Sequence, residues 1–282
     1  MILILFFNLL FLNNDTATLV KSNEFTGFKN AVSVTTDGRG FIYVLDNESN
    51  EIVKISENLK EVKRVGKKGW NTGEFDSPTN IDGSSGFDIY VTDGVNYRIQ
   101  RFDLNLSFIS SLVTNSATFD EKLKFNTPVA SIIINSSALY IIDGENKRIV
   151  YYPDGITPLT YFGGFQSAQK PFLNPVKLLK DGYNNIYIFD NKANSVYVYD
   201  NFGNFVKSIE SITIKSISIF NNIVYIFTGS ELLLYDVRKN AYVNKITLGK
   251  SMSDLQVNDM VVYSENRILF LEKNKISFFT IK

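Results

Sequence analysis

Histidine and cysteine are both absent from the 282-residue sequence. Without imidazole or thiol groups, the chain cannot form a His/Cys zinc or haem site, a Ser-His-Asp triad, a cysteine nucleophile or a disulfide. Oxygen ligands for a hard cation remain possible. The composition therefore predicts no cofactor and no metal held by nitrogen or sulfur ligands, and no repeated motif marks a catalytic residue.

The sequence also lacks an excess of either charge. It carries 29 Lys and Arg against 29 Asp and Glu, so its formal net charge is zero, and its densest basic run, residues 63–68, is short. A neutral chain has no long-range field that attracts polyanions, so we expect no nucleic-acid partner. The 44% of apolar residues predicts a large hydrophobic core.

The longest apolar run opens the chain. Residues 1–12 are apolar except for Asn8, which is too short for the ~20 residues of a membrane-spanning helix but suits a secretory h-region of roughly 7–15 residues. We therefore expect residues 1–18 to be a signal peptide and residues 19–282 to be one exported domain, in the periplasm, at the cell surface or outside the cell, without a transmembrane span. A buried strand or a wrongly assigned start is the alternative.

A unit of roughly 45 residues repeats along the rest of the chain. Each copy contains an apolar strand that mostly ends on an acidic residue, at residues 42–46, 89–93, 139–143, 186–190, 224–228 and 268–272. A polar linker and a second apolar stretch follow each strand, and three copies carry Pro 11 residues before it, at Pro78, Pro128 and Pro175. Polar linkers between apolar runs indicate hairpins of short antiparallel strands.

Six small sheets bury both faces only by packing on one another, and a closed ring leaves no unpartnered end. Only ten residues follow Glu272, so the sixth unit lacks its outermost strand. Residues 17–25 precede the first complete unit and can supply that strand. The sequence therefore predicts an all-β, six-bladed β-propeller whose last blade is closed by the N-terminal strand.

Residues 69–78, 89–93 and 96–103 together resemble an NHL repeat of the six-bladed β-propeller class. The third and fourth units resemble it well, whereas the fifth and sixth do so mainly in their apolar pattern. The resemblance implies a propeller fold but not one activity, because such propellers host many functions.

Residues that recur in several units have structural explanations. Asp46, Asp93, Asp143 and Asp190 each open a hairpin, where a carboxylate accepts backbone N–H bonds. Arg98 and Arg148 follow two of these hairpins, and we expect them to pair with neighbouring acids or carbonyls. The repeated tyrosines at 43, 90, 140, 187 and 225 are expected to pack between sheets.

Function is expected where the units differ. The family resemblance implies that the second residue after the position of Pro78, or after its equivalent in the other units, lies near the mouth of the central channel. Across the six units this ring contains Ser33, Asn80, Ala130, Lys177, Ser216 and Asp259. Its polar members are candidate binding residues. Because one blade separates Lys177 from Asp259, we expect these two to face each other obliquely without forming a tight buried pair.

The ring holds one carboxylate and a lysine, whereas a hard cation prefers several carboxylates. We therefore expect an exported, non-enzymatic binding or scaffolding propeller for a protein, peptide or small-molecule ligand. Candidate loop anchors are aromatic: Trp70, Tyr97, Phe165 and Tyr183. The alternative is a hydrolase or lyase of the six-bladed propeller class with an oxygen-ligated channel metal. A propeller resembling the amidating lyases would need histidine ligands, which this chain lacks.

Overall fold

A computed structural model describes residues 17–114, 120–164, 171–248 and 255–282. The initial apolar run and Phe165 lie outside these ranges. Within them the chain forms 24 β-strands and one turn of 3-10 helix, Glu121–Leu123. None of the described residues belongs to a helix with the length and apolarity needed to cross a bilayer.

The strands form six four-stranded antiparallel sheets, each a propeller blade. Strand β1 (Leu19–Thr26) precedes blade 1, which contains β2 (Ala31–Thr36), β3 (Ile42–Asp46), β4 (Glu51–Ile55) and β5 (Glu61–Val65). Blade 2 contains β6 (Pro78–Asp82), β7 (Asp88–Asp93), β8 (Arg98–Asp103) and β9 (Phe108–Val113). Blade 3 contains β10 (Pro128–Ile134), β11 (Ala138–Asp143), β12 (Arg148–Tyr152) and β13 (Thr160–Gly163).

The second half of the chain repeats this order. Blade 4 contains β14 (Pro175–Lys180), β15 (Ile186–Asp190), β16 (Ser195–Tyr199) and β17 (Phe205–Glu210). Blade 5 contains β18 (Ser216–Phe220), β19 (Ile223–Phe227), β20 (Glu231–Asp236) and β21 (Ala241–Thr247). Blade 6 contains β22 (Asp259–Ser264), β23 (Arg267–Leu271) and β24 (Lys275–Ile281).

The N-terminal strand completes blade 6. Strand β1 pairs antiparallel with β24, with Leu19 opposite Ile281 and Phe25 opposite Ile276. The sheet order β1-β24-β23-β22 leaves no missing outer strand. The all-β, six-bladed propeller predicted from the sequence is thus confirmed, and its closure by the N-terminal strand agrees with this sheet.

The recurring acidic residues hold the blades to the preceding loops. Each of the four carboxylates is fully buried at the end of its strand. Asp46 accepts N–H bonds from Lys29 at 2.6 Å and Asn30 at 3.1 Å. Asp93 accepts from Asp76 N–H at 2.8 Å and also binds the Arg98 guanidinium at 2.9 Å. Such bonds compensate for the removal of a carboxylate from water, which explains why the position repeats.

The core lies between blades. Inward-facing residues of neighbouring sheets form apolar clusters, such as the one that joins Ile132 and Ile142 of blade 3 to Leu178 and Ile188 of blade 4. The recurring tyrosines lie in these layers as predicted; the Tyr140 hydroxyl, for example, donates to the Asn201 carbonyl of the next blade at 2.7 Å. Because each blade packs on the next around the ring, the innermost strands surround a central channel.

Candidate functional site

The central channel contains a 390 Å³ cavity at the ends of the innermost strands. It is lined by residues of β2, β6, β10, β14, β18 and β22, among them Asp82, Lys177 and Lys180. A second cavity of 270 Å³ lies at the starts of the same strands. Residues from all the polar ring positions line this second cavity: Ser33, Asn80, Lys177, Ser216 and Asp259.

Lys177 and Asp259 form an ion pair inside the channel, with side chains that are only 13% and 6% exposed. The Lys177 ammonium also donates to the carbonyls of Ile217 at 2.9 Å and Met260 at 3.2 Å. The expectation that these charges form no tight buried pair is therefore wrong. A lysine stem spans the intervening blade, so separation in the ring did not prevent contact.

The remaining ring residues join the innermost strands to each other. Asp259 accepts from Val34 N–H at 3.0 Å, and Ser33 Oγ accepts from Ile81 N–H at 3.3 Å. Asn80 Oδ1 accepts from Ser131 N–H at 3.2 Å. The sequence thus placed these side chains together correctly, and the structure gives them bonds between blades. Their binding of a ligand stays a prediction.

Two titratable residues in the larger cavity escaped the sequence analysis. Asp82 of β6 and Lys180 of β14 meet at Ile133 of β10, although they belong to blades 2 and 4. Asp82 Oδ2 accepts from Ile133 N–H at 3.2 Å, and Lys180 Nζ donates to the Ile133 carbonyl at 2.9 Å. In a strand the N–H and C=O of one residue point to the same side. The acid and the amine therefore both lie on the channel side of Ile133.

Burial shifts both groups toward their neutral forms. Loss of hydration raises the pKa of the Asp82 carboxyl above 3.8, although hydrogen bonds from Ser84 and the charge of Lys180 oppose this. Burial likewise lowers the pKa of the Lys180 amine below 10.5, against the attraction of Asp82. Titratable groups with shifted pKa values in a cleft are typical of acid–base sites. Reading the ring two or three residues further along each strand would have found them.

Two further carboxylates at the rim of this cavity have other partners. Asp37 accepts from Arg39 N–H at 2.8 Å and from the Tyr43 hydroxyl at 3.1 Å. Asp181 likewise accepts from Tyr183 N–H in its own turn at 2.8 Å and from the Tyr187 hydroxyl at 3.0 Å. Both stabilise the turn that follows an innermost strand, which leaves Asp82 as the carboxylate beside Lys180.

The loop aromatics do not form one surface. Trp70 and Tyr97 are 66% and 49% exposed on loops of blade 2, on the side where innermost strands begin. Tyr183 is 59% exposed in the β14–β15 turn, where innermost strands end. These residues therefore lie on opposite faces of the ring.

The channel offers a poor set of metal ligands. Across the described ranges, no three acidic side chains are grouped closely enough to hold an ion. Asp259, the carboxylate of the predicted ring, already binds the Lys177 ammonium. The residues present do not fit the oxygen-ligated metal of the alternative hypothesis.

Fold and channel define a six-bladed β-propeller with a polar central site. A scan against protein-family models and a search of curated protein sequences each find no match. Solved structures are similar to the chain. A virginiamycin B lyase from Staphylococcus aureus matches with a TM-score of 0.65 and 12% identity, over 94% of this chain and 100% of that one.

A streptogramin B lyase structure matches with a TM-score of 0.62 and 12% identity, over 94% of this chain and 98% of that one. A third match is a catalytically inactive histidine-to-alanine variant of the S. aureus enzyme with quinupristin, with a TM-score of 0.64, 11% identity, and 94% and 100% of the two chains covered. At this identity the likeness shows the fold alone. Because these neighbours are enzymes, the expectation of a non-enzymatic binding propeller is corrected, and its hydrolase or lyase alternative is favoured.

Proposed function

We propose that the chain is a lyase that acts on a carbonyl compound in the 390 Å³ cavity, with Lys180 as the base and Asp82 as the acid. The observation that carries this proposal is the meeting of the two groups at Ile133, each with its pKa shifted toward the neutral form. A neutral amine accepts a proton, and a neutral carboxylic acid donates one.

An elimination uses both properties at once. The Lys180 amine removes a proton from carbon, the bond from the neighbouring carbon to the leaving group breaks, and Asp82 protonates the leaving group. The resulting ammonium and carboxylate both line the cavity at Ile133, so loss of one proton to water and gain of another from water restore the starting forms. Their titrations are coupled, so activity should follow the protonation of the pair rather than of either residue alone.

Similarity to lyases supports the reaction class but not the same catalytic groups. The neighbour described as catalytically inactive has lost a histidine, whereas this chain has none. A lyase on this chain must therefore use other titratable groups, and Asp82 and Lys180 are adjacent to the cavity.

The test is an activity assay in ¹⁸O-labelled water. Purified protein is incubated with a streptogramin B and a panel of esters and lactones that carry a removable hydrogen beside the carbonyl or the leaving group. Mass spectrometry separates elimination, which gives an unlabelled alkene, from hydrolysis, which incorporates ¹⁸O. We expect unlabelled alkene from at least one compound. Labelled product would replace the lyase with a hydrolase, and no turnover of any compound would contradict the proposal.

Variants then assign the groups. Asp82→Asn and Lys180→Met should each lower kcat by about 10²–10⁴-fold, which is the usual contribution of general acid–base catalysis. Lys54→Met is the matched control, because Lys54 is also buried with a lowered pKa but donates to Leu104 between blades 1 and 2. Full activity in Asp82→Asn would remove Asp82 from the mechanism.

Two broader features belong to the same proposal. The apolar residues 1–12 support export of the enzyme, and N-terminal sequencing of protein recovered outside the cytoplasm tests it. The motifs in residues 69–103 support assignment of the blades to NHL-like repeats.

A further inference from the structure

Two lysines line the 390 Å³ cavity, Lys177 and Lys180, and their amines differ in the number of hydrogen bonds they make. Lys177 Nζ has three oxygen partners, which are the Asp259 carboxylate and the carbonyls of Ile217 and Met260. An ammonium has three N–H donors and no acceptor, so every donor of Lys177 is used. This lysine is held as a cation, and its nitrogen has no lone pair for chemistry.

The amine of Lys180 has fewer partners. Across the described ranges its one hydrogen bond goes to the Ile133 carbonyl at 2.9 Å, and no carboxylate forms an ion pair with it. An ammonium with a single partner is poorly compensated for the water it loses on burial, whereas a neutral amine donates the same bond and keeps a lone pair. Burial lowers the pKa of this amine in agreement with the geometry, against the attraction of Asp82.

The cavity also has apolar walls. Ile81, Ile132, Leu178 and Ile219, from four different innermost strands, are among the residues that line it. A lysine that loses hydration in such surroundings becomes a nucleophile for carbonyl carbon, because its lone pair is then free at neutral pH. Lys180 therefore combines a free lone pair with a cavity that has room for a small molecule.

We propose that the Lys180 amine binds small aldehydes covalently, as an imine, within the 390 Å³ cavity. The nitrogen attacks the carbonyl carbon, and one of its protons moves to the carbonyl oxygen to give a carbinolamine. The carbinolamine hydroxyl takes a proton from water and leaves as water, so the products are a protonated imine and hydroxide. The reaction goes beyond the proposed elimination, because it needs neither a leaving group on the substrate nor an acid from the protein.

Reductive trapping tests the imine directly. Purified protein is incubated at neutral pH with benzaldehyde and sodium cyanoborohydride, which reduces an imine to a stable benzylamine, and peptide mass spectrometry then locates the labelled lysines. We expect Lys180 to be labelled about ten-fold faster or more than exposed lysines, since each unit by which an amine pKa falls raises its neutral fraction about ten-fold at neutral pH. Lys180→Met should abolish this label.

Lys207 is the matched internal control. Burial lowers the pKa of its amine as well, but Lys207 does not line the cavity, and its Nζ contacts the Tyr235 hydroxyl at 3.2 Å and Asn240 Oδ1 at 2.8 Å. Lys207 should therefore be labelled more slowly than Lys180, and Lys207→Met should leave the labelling of Lys180 unchanged. Lys177, which lines the cavity as a fully bonded ammonium, should stay unlabelled.

The outcomes separate the aldehyde site from the lyase proposal. Labelling of Lys180 no faster than that of Lys207, or labelling of Lys177 as fast as that of Lys180, would overturn the aldehyde site. If Lys180 is labelled but no compound of the ester and lactone panel is eliminated, the lyase proposal fails and the aldehyde site stands. Elimination without labelling would remove the aldehyde site and leave Lys180 with its role as a base.

Discussion

Removal of Lys177 should destabilise the propeller strongly. In Lys177→Met, the apolar side chain retains the length of the stem but leaves the Asp259 carboxylate without its counterion. Asp259 would keep hydrogen bonds from Val34 and Met260 N–H, at 3.0 and 2.8 Å, yet it would remain an almost buried, uncompensated charge. The same change also removes the ammonium that joins β14 to β18 and β22.

The expected loss of unfolding free energy follows from the burial of the Lys177–Asp259 pair. Breaking a buried ion pair by removal of one partner costs about 3–5 kcal/mol. In a domain of this size each kcal/mol lowers Tm by about 2–4 °C, so we expect a fall of about 6–20 °C. An exposed pair would contribute only about 0–1 kcal/mol, which is the value that the sequence-based expectation of separated charges implies.

A double-mutant cycle is the appropriate assay. Thermal and urea unfolding are measured for Lys177→Met, Asp259→Asn, the double variant and wild type. The two single changes should be non-additive by about 0.5–3 kcal/mol, with the double variant less destabilised than their sum. Arg267→Met is the control, because Arg267 pairs with Glu57 on the surface, where the side chains are 53% and 71% exposed. A Tm for Lys177→Met within about 2 °C of wild type, which corresponds to about 1 kcal/mol or less, would contradict a stabilising role for the pair.

Three further results are expected. Deletion of residues 17–26 should expose β24 as an unpaired edge and cause aggregation or loss of cooperative melting; a monomeric variant with wild-type Tm would contradict this. Purified protein should contain no stoichiometric Zn, Fe or Ca, and chelator should leave its Tm unchanged; a fall of several degrees would indicate a bound metal. Burial alone would raise the pKa of Asp46, but N–H bonds from Lys29, Ser49 and Asn30 outweigh it and lower the pKa below 3.8. A carboxylate whose pKa is lower in the folded state stabilises the fold at pH values above its unfolded-state pKa, and this stability is lost as the pH falls through its folded-state pKa. Asp46→Asn should therefore make the fall in unfolding free energy at acidic pH less steep. An unchanged dependence on pH would contradict this.

The fold could be predicted because each blade is encoded locally. Alternating apolar residues, a hairpin acid such as Asp93 and a Pro slot such as Pro78 set strand direction and register within about 45 residues. Ring closure required only the count of strands at the two termini. These features depend on short-range chemistry, which a repeat displays several times over.

Contacts across the channel could not be predicted in the same way. The ring analysis placed Lys177 and Asp259 at equivalent backbone positions, but a flexible lysine stem reaches well beyond its own blade. Asp82 and Lys180 were missed because each lies further along an innermost strand, at a position where no repeated motif draws attention. Their pKa shifts arise from burial by three blades together, which no single repeat contains.

The asymmetry of the channel is therefore more informative about function than its symmetry. Thr35 and Asn80 accept N–H bonds from Gly83 and Ser131 of the next innermost strand, at 2.9 and 3.2 Å, and such bonds stabilise the ring. At Ile133 the pattern differs, because Asp82 of blade 2 and Lys180 of blade 4 both bond to its backbone and both line the 390 Å³ cavity. The cavity around Asp82 and Lys180 is thus the region in which we expect substitutions to alter activity while leaving the fold intact.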